Sequence, residues 1–163
     1  MVTVPLQKSL FTRRWSQQVH ATRKEIDLHV ELVAVLRLVL KPTVLWWHTP
    51  NGEHRDPKTA AKLKAMGVLP GVPDLQFHWV EMEGHILFGE HDPAIVPGKV
   101  RRVLHMEMKA GNRPQGNAQV AFELAVKLLG DEYHVVRSVV DALEILGERG
   151  LIKEGVEIAG RRW

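Results

Sequence analysis

The 163-residue chain has no cysteine, which excludes disulfides and thiolate metal sites but leaves the redox compartment open, because a secreted protein need not contain any. Tyrosine occurs once. The longest apolar run, Leu32 to Leu36, falls far short of the roughly 20 residues that a membrane-spanning helix needs. Internal repeats and low-complexity tracts are absent. The opening Met1-Val2-Thr3-Val4-Pro5 shows no basic stretch leading into an apolar one, so no secretory signal is expected and a cytoplasmic location follows by default.

What is present is an ordinary globular composition, 45% hydrophobic and 25% charged, in a length that usually makes one domain. The net charge of +3 is unevenly spread. Lys8, Arg13, Arg14, Arg23 and Lys24 all precede the first acidic residue, Glu25, and the chain ends Arg161-Arg162-Trp163. Both ends can touch phosphate, and both can equally be solvated tails, so charge alone decides nothing. The expected division is a basic extension over 1–22, a folded domain over 23–155 and a tail over 156–163.

From Arg23 to Leu40 the spacing predicts a helix, with apolar residues at 26, 30, 33 and 40 on one side and 32, 36 and 39 beside them. Burial over much of its surface is expected. Glu25 and His29 fall in line with Leu32 and Leu36, whereas Asp27 and Glu31 project to the other side. An inward carboxylate is costly unless paired or bound to a metal, which singles out Glu25. Val44 to His48 reads as a strand in which Trp46 and Trp47 must point to opposite faces. A turn, Thr49-Pro50-Asn51-Gly52, follows; Asp56-Pro57 then supplies a cap and a first helical residue for a short helix over 58–66, which Gly67 ends.

The Gly- and Pro-rich loop 67–73 delivers Asp74 to a strand over 75–80, and residues 81–100 read as a hairpin-like excursion before a strand over 101–109. In that last strand Leu104, Met106 and Met108 alternate with His105, Glu107 and Lys109, so Glu107 and Lys109 share a face. A helix over 117–129, a strand over 133–137 and a final helix from Ser138 complete a mixed α/β sheet flanked by helices.

Asp74 and, after 32 intervening residues, Glu107-Met108-Lys109 suit phosphodiester hydrolysis. That reaction needs a nucleophilic water, neutralisation of phosphate charge and help for the departing oxygen, and hard divalent ions held by carboxylates supply all three. Asp74 and Glu107 are the candidate ligands, with the Met108 backbone carbonyl as a further one. Lys109 would orient or activate water and stabilise developing negative charge. By spacing alone a turn followed by a charged strand face is the commoner origin of such a pattern. None of the nine histidines falls into an HExxH or comparable spacing, which weighs against zinc.

Glu25, the Thr49-Pro50-Asn51-Gly52 turn, the run Leu63-Lys64-Ala65-Met66-Gly67-Val68-Leu69-Pro70-Gly71-Val72-Pro73-Asp74, Glu107-Met108-Lys109 and Gln119 together resemble the VRR-NUC family of the PD-(D/E)xK nuclease superfamily. The resemblance covers about Glu25 to Ser138. It implies a restriction-endonuclease-like core and a Mg²⁺- or Mn²⁺-dependent endodeoxyribonuclease. Glu25 would join Asp74 and Glu107 around the metal, Lys109 would be catalytic, and Gln119 would help to order the site. Members often carry glutamine where this chain has His29, so a direct ligand role for His29 is not carried over. Asn51, Gly52, Lys58, Lys62, Lys64 and Gly71 fall in the matching loops and on a helix whose start and lysines can hold phosphate. Glu53 can contact metal or cap the turn.

The resemblance further implies branched DNA such as a four-way junction or flap as substrate, a helicase or repair partner, and a bacterial or phage-infected cell, and the small size of the chain with its extensively apolar first helix suggests a homodimer. A rival expectation is a nucleic-acid-binding module of the same fold that does not cleave. A third is an α/β interaction protein in which the motifs arise by chance.

Overall fold

The computed structural model describes residues 25–50, 56–88 and 93–163. Their elements are α1 (Glu25–Val39), β1 (Leu45–His48), α2 (Pro57–Ala65), β2 (Leu75–Phe88), β3 (Pro93–Met108), α3 (Asn117–Leu128), β4 (Glu132–Val136), α4 (Val139–Glu148), β5 (Glu157–Ile158) and β6 (Arg161–Arg162). The class is α/β, with helices and a mixed four-stranded sheet in the order β1-β2-β3-β4. The chain divides into two compact units, one comprising Met1–Lys41, Met108–Gln115 and Val135–Trp163, the other Pro42–Glu107 and Gly116–His134.

In the second unit, β1, β2 and β3 are antiparallel neighbours, with Trp47 opposite Gln76 and Gln76 opposite His105. Strand alternation sends Leu75, Phe77, Trp79, Leu104 and Met106 to one buried face. The adjacent tryptophans part as their period of two requires. Trp46 stacks on Phe77 and Trp47 on His78, with ring centroids 6.2 and 4.6 Å apart.

The 81–100 excursion is instead a continuation of both central strands, whose pairing runs without a break to Phe88 opposite Pro93. There are therefore two long strands between α2 and α3 rather than three short segments. Pro93 is tolerated as the first residue of its strand, where a missing N–H costs least.

Helix α2 buries no side chain, so local interactions hold it. Asp56 caps it, accepting from the Lys58 and Thr59 N–H groups at 3.0 Å each. Hydrogen bonds from Thr59, then from Lys58, hold the Asp56 carboxyl below its ordinary value of 3.8. A depressed folded-state value means that the cap is fully present above pH 3.8 and fades as pH falls through the lower one. Amide exchange at Lys58 to Ala61, corrected for the intrinsic rate, is therefore expected to accelerate below that pH, and Asp56→Ala should show the same acceleration at neutral pH. Equal protection in both proteins at neutral pH would remove the cap from the account.

In the first unit, α1 buries the row Leu28, Leu32 and Leu36, continued by Leu40, and packs on α4, whose buried residues include Val139, Ala142, Leu143 and Leu146. The expectation of a broadly buried helix is corrected: Ile26 is 66% and Val30 63% exposed. Both stripes are apolar, but a single partner helix in this unit covers only the leucine row. Glu31, which helix geometry directs away from the leucine row, is half-buried. Residues 156–163, expected as a tail, form the β5–β6 hairpin, and Trp163 closes it by donating to the Val156 carbonyl at 2.9 Å. The Trp163 indole lies against Gly147, where an added Cβ would sit 2.5 Å from the ring. Among the described residues no helix is long and apolar enough to cross a membrane.

Candidate active site

The second unit brings Asp74, Glu107 and Gln119 together. Asp74 immediately precedes β2 and Glu107 is the penultimate residue of β3; the antiparallel register, with Leu75 opposite Met106, carries them to neighbouring positions when extended by one residue. Carboxylate oxygens of the two lie within 4.8 Å of each other. The Asp74 backbone is pinned from β1, its carbonyl accepting from the Thr49 N–H at 2.9 Å and lying 2.9 Å from His48 Nδ1. Thr49 belongs to the turn singled out in the sequence, but its contact with Asp74, like that of His48, depends on a register no motif records.

Glu107 is only 2% exposed, and a carboxylate that deep is unfavourable unless donors or cations face it. Gln119 provides one such donor. Its Oε1 accepts from the Gly116 N–H at 2.8 Å, tying the amide to the first turn of α3, and its Nε2 is thereby turned to donate to Glu107 Oε1. A residue that looks in the sequence like a helix-capping glutamine thus also orients the buried acid.

Beside them, the loop before Asp74 presses on α3. Gly71 has φ of +81°, and a Cβ there would lie 2.2 Å from the Ala118 carbonyl oxygen. Glycine is required twice over, by conformation and by space.

His105, two residues before Glu107, is buried beside Asp131, with Nε2 3.3 Å from the carboxylate. Phe122 meets it edge-on and Tyr133 stacks on it. Burial pushes its pKa below the ordinary 6.5, although Asp131 pulls the other way. Its surroundings are those of a packing residue that ties α3 to the sheet.

The first unit brings Glu25 and Lys109 together. Glu25 opens α1, half-buried, with an oxygen 3.8 Å from Lys109 Nζ. Lys109 is 8% exposed, and its backbone N–H donates to the Val136 carbonyl at 2.9 Å, continuing the sheet past β3. The loop that follows is held by Arg137, which donates to the carbonyls of Gly111 and, at 3.1 Å, Arg113. Arg137 carried no signal in the sequence. His29 is half-buried one turn along α1 from Glu25.

Other candidates are not gathered in. Lys58, Lys62 and Lys64 stand exposed on α2, the first two on one face and Lys64 well round the helix. Asn51, Gly52 and Glu53 lie outside the described residues. No family model, curated protein or solved structure matches the chain.

The donor set accords with a hard divalent cation. Carboxylate oxygens dominate it, and the chain offers no thiolate to bias it toward a softer metal.

Proposed function

We propose that the chain is a Mg²⁺- or Mn²⁺-dependent DNA endonuclease on a PD-(D/E)xK core, hydrolysing phosphodiester bonds by direct attack of water. The observation that carries this reading is the carboxylate pair of Asp74 and the deeply buried Glu107, with Lys109 two residues further along the same extended segment. Strand alternation favours Glu107 and Lys109 on one side of the sheet. Glu25, paired with Lys109 at 3.8 Å, is the third acidic residue that the family resemblance implies.

In this mechanism Asp74 and Glu107 would hold the metal, with the Met108 carbonyl and, as the resemblance implies, Glu25 as further ligands, and the ion would supply charge neutralisation at the phosphate and a more acidic water. Gln119 keeps Glu107 in one orientation. Lys109 positions the attacking water and faces the negative charge that grows on the phosphate as the new P–O bond forms and the ester bond breaks. Lys58, Lys62 and Lys64 add sequence-independent attraction to the DNA backbone. Branched DNA, a symmetric dimer using the exposed Ile26 and Val30, and a helicase or repair partner belong to the same reading.

The test is cleavage of labelled junction, flap, duplex and single-stranded DNA with each metal, beside Lys109→Ala and an EDTA control. Expected are products that need metal and vanish in the variant. Tight binding without cutting under either metal would replace the nuclease by a non-cleaving binding module, and neither binding nor cutting would leave only an α/β interaction protein.

A further inference from the structure

The sheet face that bears Asp74 and Glu107 extends well beyond them within the second unit. Antiparallel partners share a face, so successive rows behind the acid pair contain Trp47 with Gln76, then His78, then Val80 with Arg101, then Met82 with Lys99. Rows on one face repeat about every 6.8 Å. Helix α3 reaches this face at His105 and Glu107, whereas Val80, Met82, Lys99 and Arg101 stand exposed and Trp47 is 38% exposed.

Charge is distributed differently on the two faces of the same strands. On the opposite face Arg102 is neutralised by Glu81 at 2.9 Å. On this one, among the described residues, neither Arg101 nor Lys99 has a carboxylate partner. Arg101 instead lies 3.3 Å from His78 Nδ1, and His78 lies under the Trp47 indole. Burial, followed by the fields of Arg101 and His105, keeps the His78 pKa below 6.5, although Asp131 pulls the other way. The surface is an aromatic and aliphatic floor with two unmatched cations along it.

We propose that this face is a platform for single-stranded nucleic acid, on which an unpaired base stacks against Trp47 while Arg101 and Lys99 contact phosphates of the strand leading to Asp74 and Glu107. The direction of that lead rests on the nuclease reading; the platform itself does not. A single strand is favoured over a duplex because a duplex offers a flat surface its phosphates, leaving Trp47, Val80 and Met82 without apolar partners. An anionic strand is favoured over a protein partner because the exposed Lys99 and Arg101 form no salt bridge among the described residues, although Arg101 shares a concavity with Glu81, Asp131 and Glu132.

The experiment is fluorescence anisotropy of labelled oligothymidine and of a duplex of equal length, in EDTA so that no cleavage intervenes. Native protein should bind the single strand, and Trp47→Ala should weaken that binding by about 5- to 100-fold, with little change for duplex. Trp47→Phe, which keeps a stacking ring, should restore most of it, and circular dichroism confirms that each variant is folded. Arg101→Ala should lower the slope of log affinity against log salt by about 0.7. Absent binding of the native chain, or equal loss of single-strand and duplex binding in Trp47→Ala, overturns the platform. Platform binding that survives while no DNA is cut with either metal overturns the nuclease reading instead.

Discussion

Under the proposed nuclease function, replacing Glu107 with Gln is expected to reduce metal-dependent DNA cleavage about 100- to 1000-fold and, at the same time, to raise the melting temperature of the metal-free protein. The two effects have one origin. Asp74 and Glu107 place carboxylate oxygens within 4.8 Å of each other, and Glu107 is nearly inaccessible to water. At that separation two like charges repel by about 3 kcal/mol for an effective dielectric constant of 20, before hydrogen bonds offset part of it. Glutamine has the same shape and retains an acceptor for the Gln119 amide, so the substitution removes charge without removing packing. For a chain of this size each kcal/mol relieved corresponds to roughly 2–4 °C.

Metal should act in the opposite sense on the native protein, since an ion that binds only the folded state raises its stability as concentration exceeds the dissociation constant. Native melting temperature is therefore expected to climb with Mn²⁺ or Mg²⁺ and that of the variant to stay level. A Glu107→Gln protein that cuts DNA at the native rate would exclude Glu107 from the chemistry. A variant that melts lower than the native chain, with no metal response in either, would make the acid pair a structural feature.

The ease with which parts of this molecule are read from sequence follows the range over which each is determined. The cap of α2 is decided within four residues, by Asp56, Pro57, Lys58 and Thr59, and the divergence of Trp46 and Trp47 follows from strand geometry alone. Alternation likewise separates Met106 from Glu107. The long ribbon was obscured because Gly84, Pro93, Pro97 and Gly98 punctuate it, yet Gly84 pairs with Pro97 and the strands run on. In α1 two apolar stripes compete, and only the presence of α4 chooses Leu28, Leu32 and Leu36. Two-residue strands such as β5 and β6 are too short to display any period. Asp74, Glu107 and Lys109 are visible as residue types, whereas His48 and Asp131 enter through register and packing between distant segments.

Gly71→Ala should be the most destabilising single methyl that the Asp74 loop can receive. Its φ of +81° disfavours any residue with a Cβ, at about 1–2 kcal/mol. The new atom would also fall 2.2 Å from the Ala118 carbonyl oxygen and 2.7 Å from the Gln119 nitrogen, which are backbone and cannot swing aside. Forcing them apart adds about 1–3 kcal/mol, giving a combined loss near 3 kcal/mol and a fall of roughly 10 °C in melting temperature. Gly67 separates the two contributions, because its φ is +88° but nothing lies within 4 Å of its Cβ position. Gly67→Ala should therefore cost only about 1 kcal/mol. The consequence for the site differs as well. Gly71 is three residues before Asp74 and presses on the turn of α3 that carries Gln119, so relief of the clash must shift the loop, the helix start or both. Activity of Gly71→Ala, measured well below its melting temperature, should fall further than the folded fraction accounts for, whereas Gly67→Ala should lose activity only as it unfolds. Equal melting temperatures for the two alanine variants would show that α3 yields freely at Ala118, and the coupling between loop and helix would then have to be abandoned.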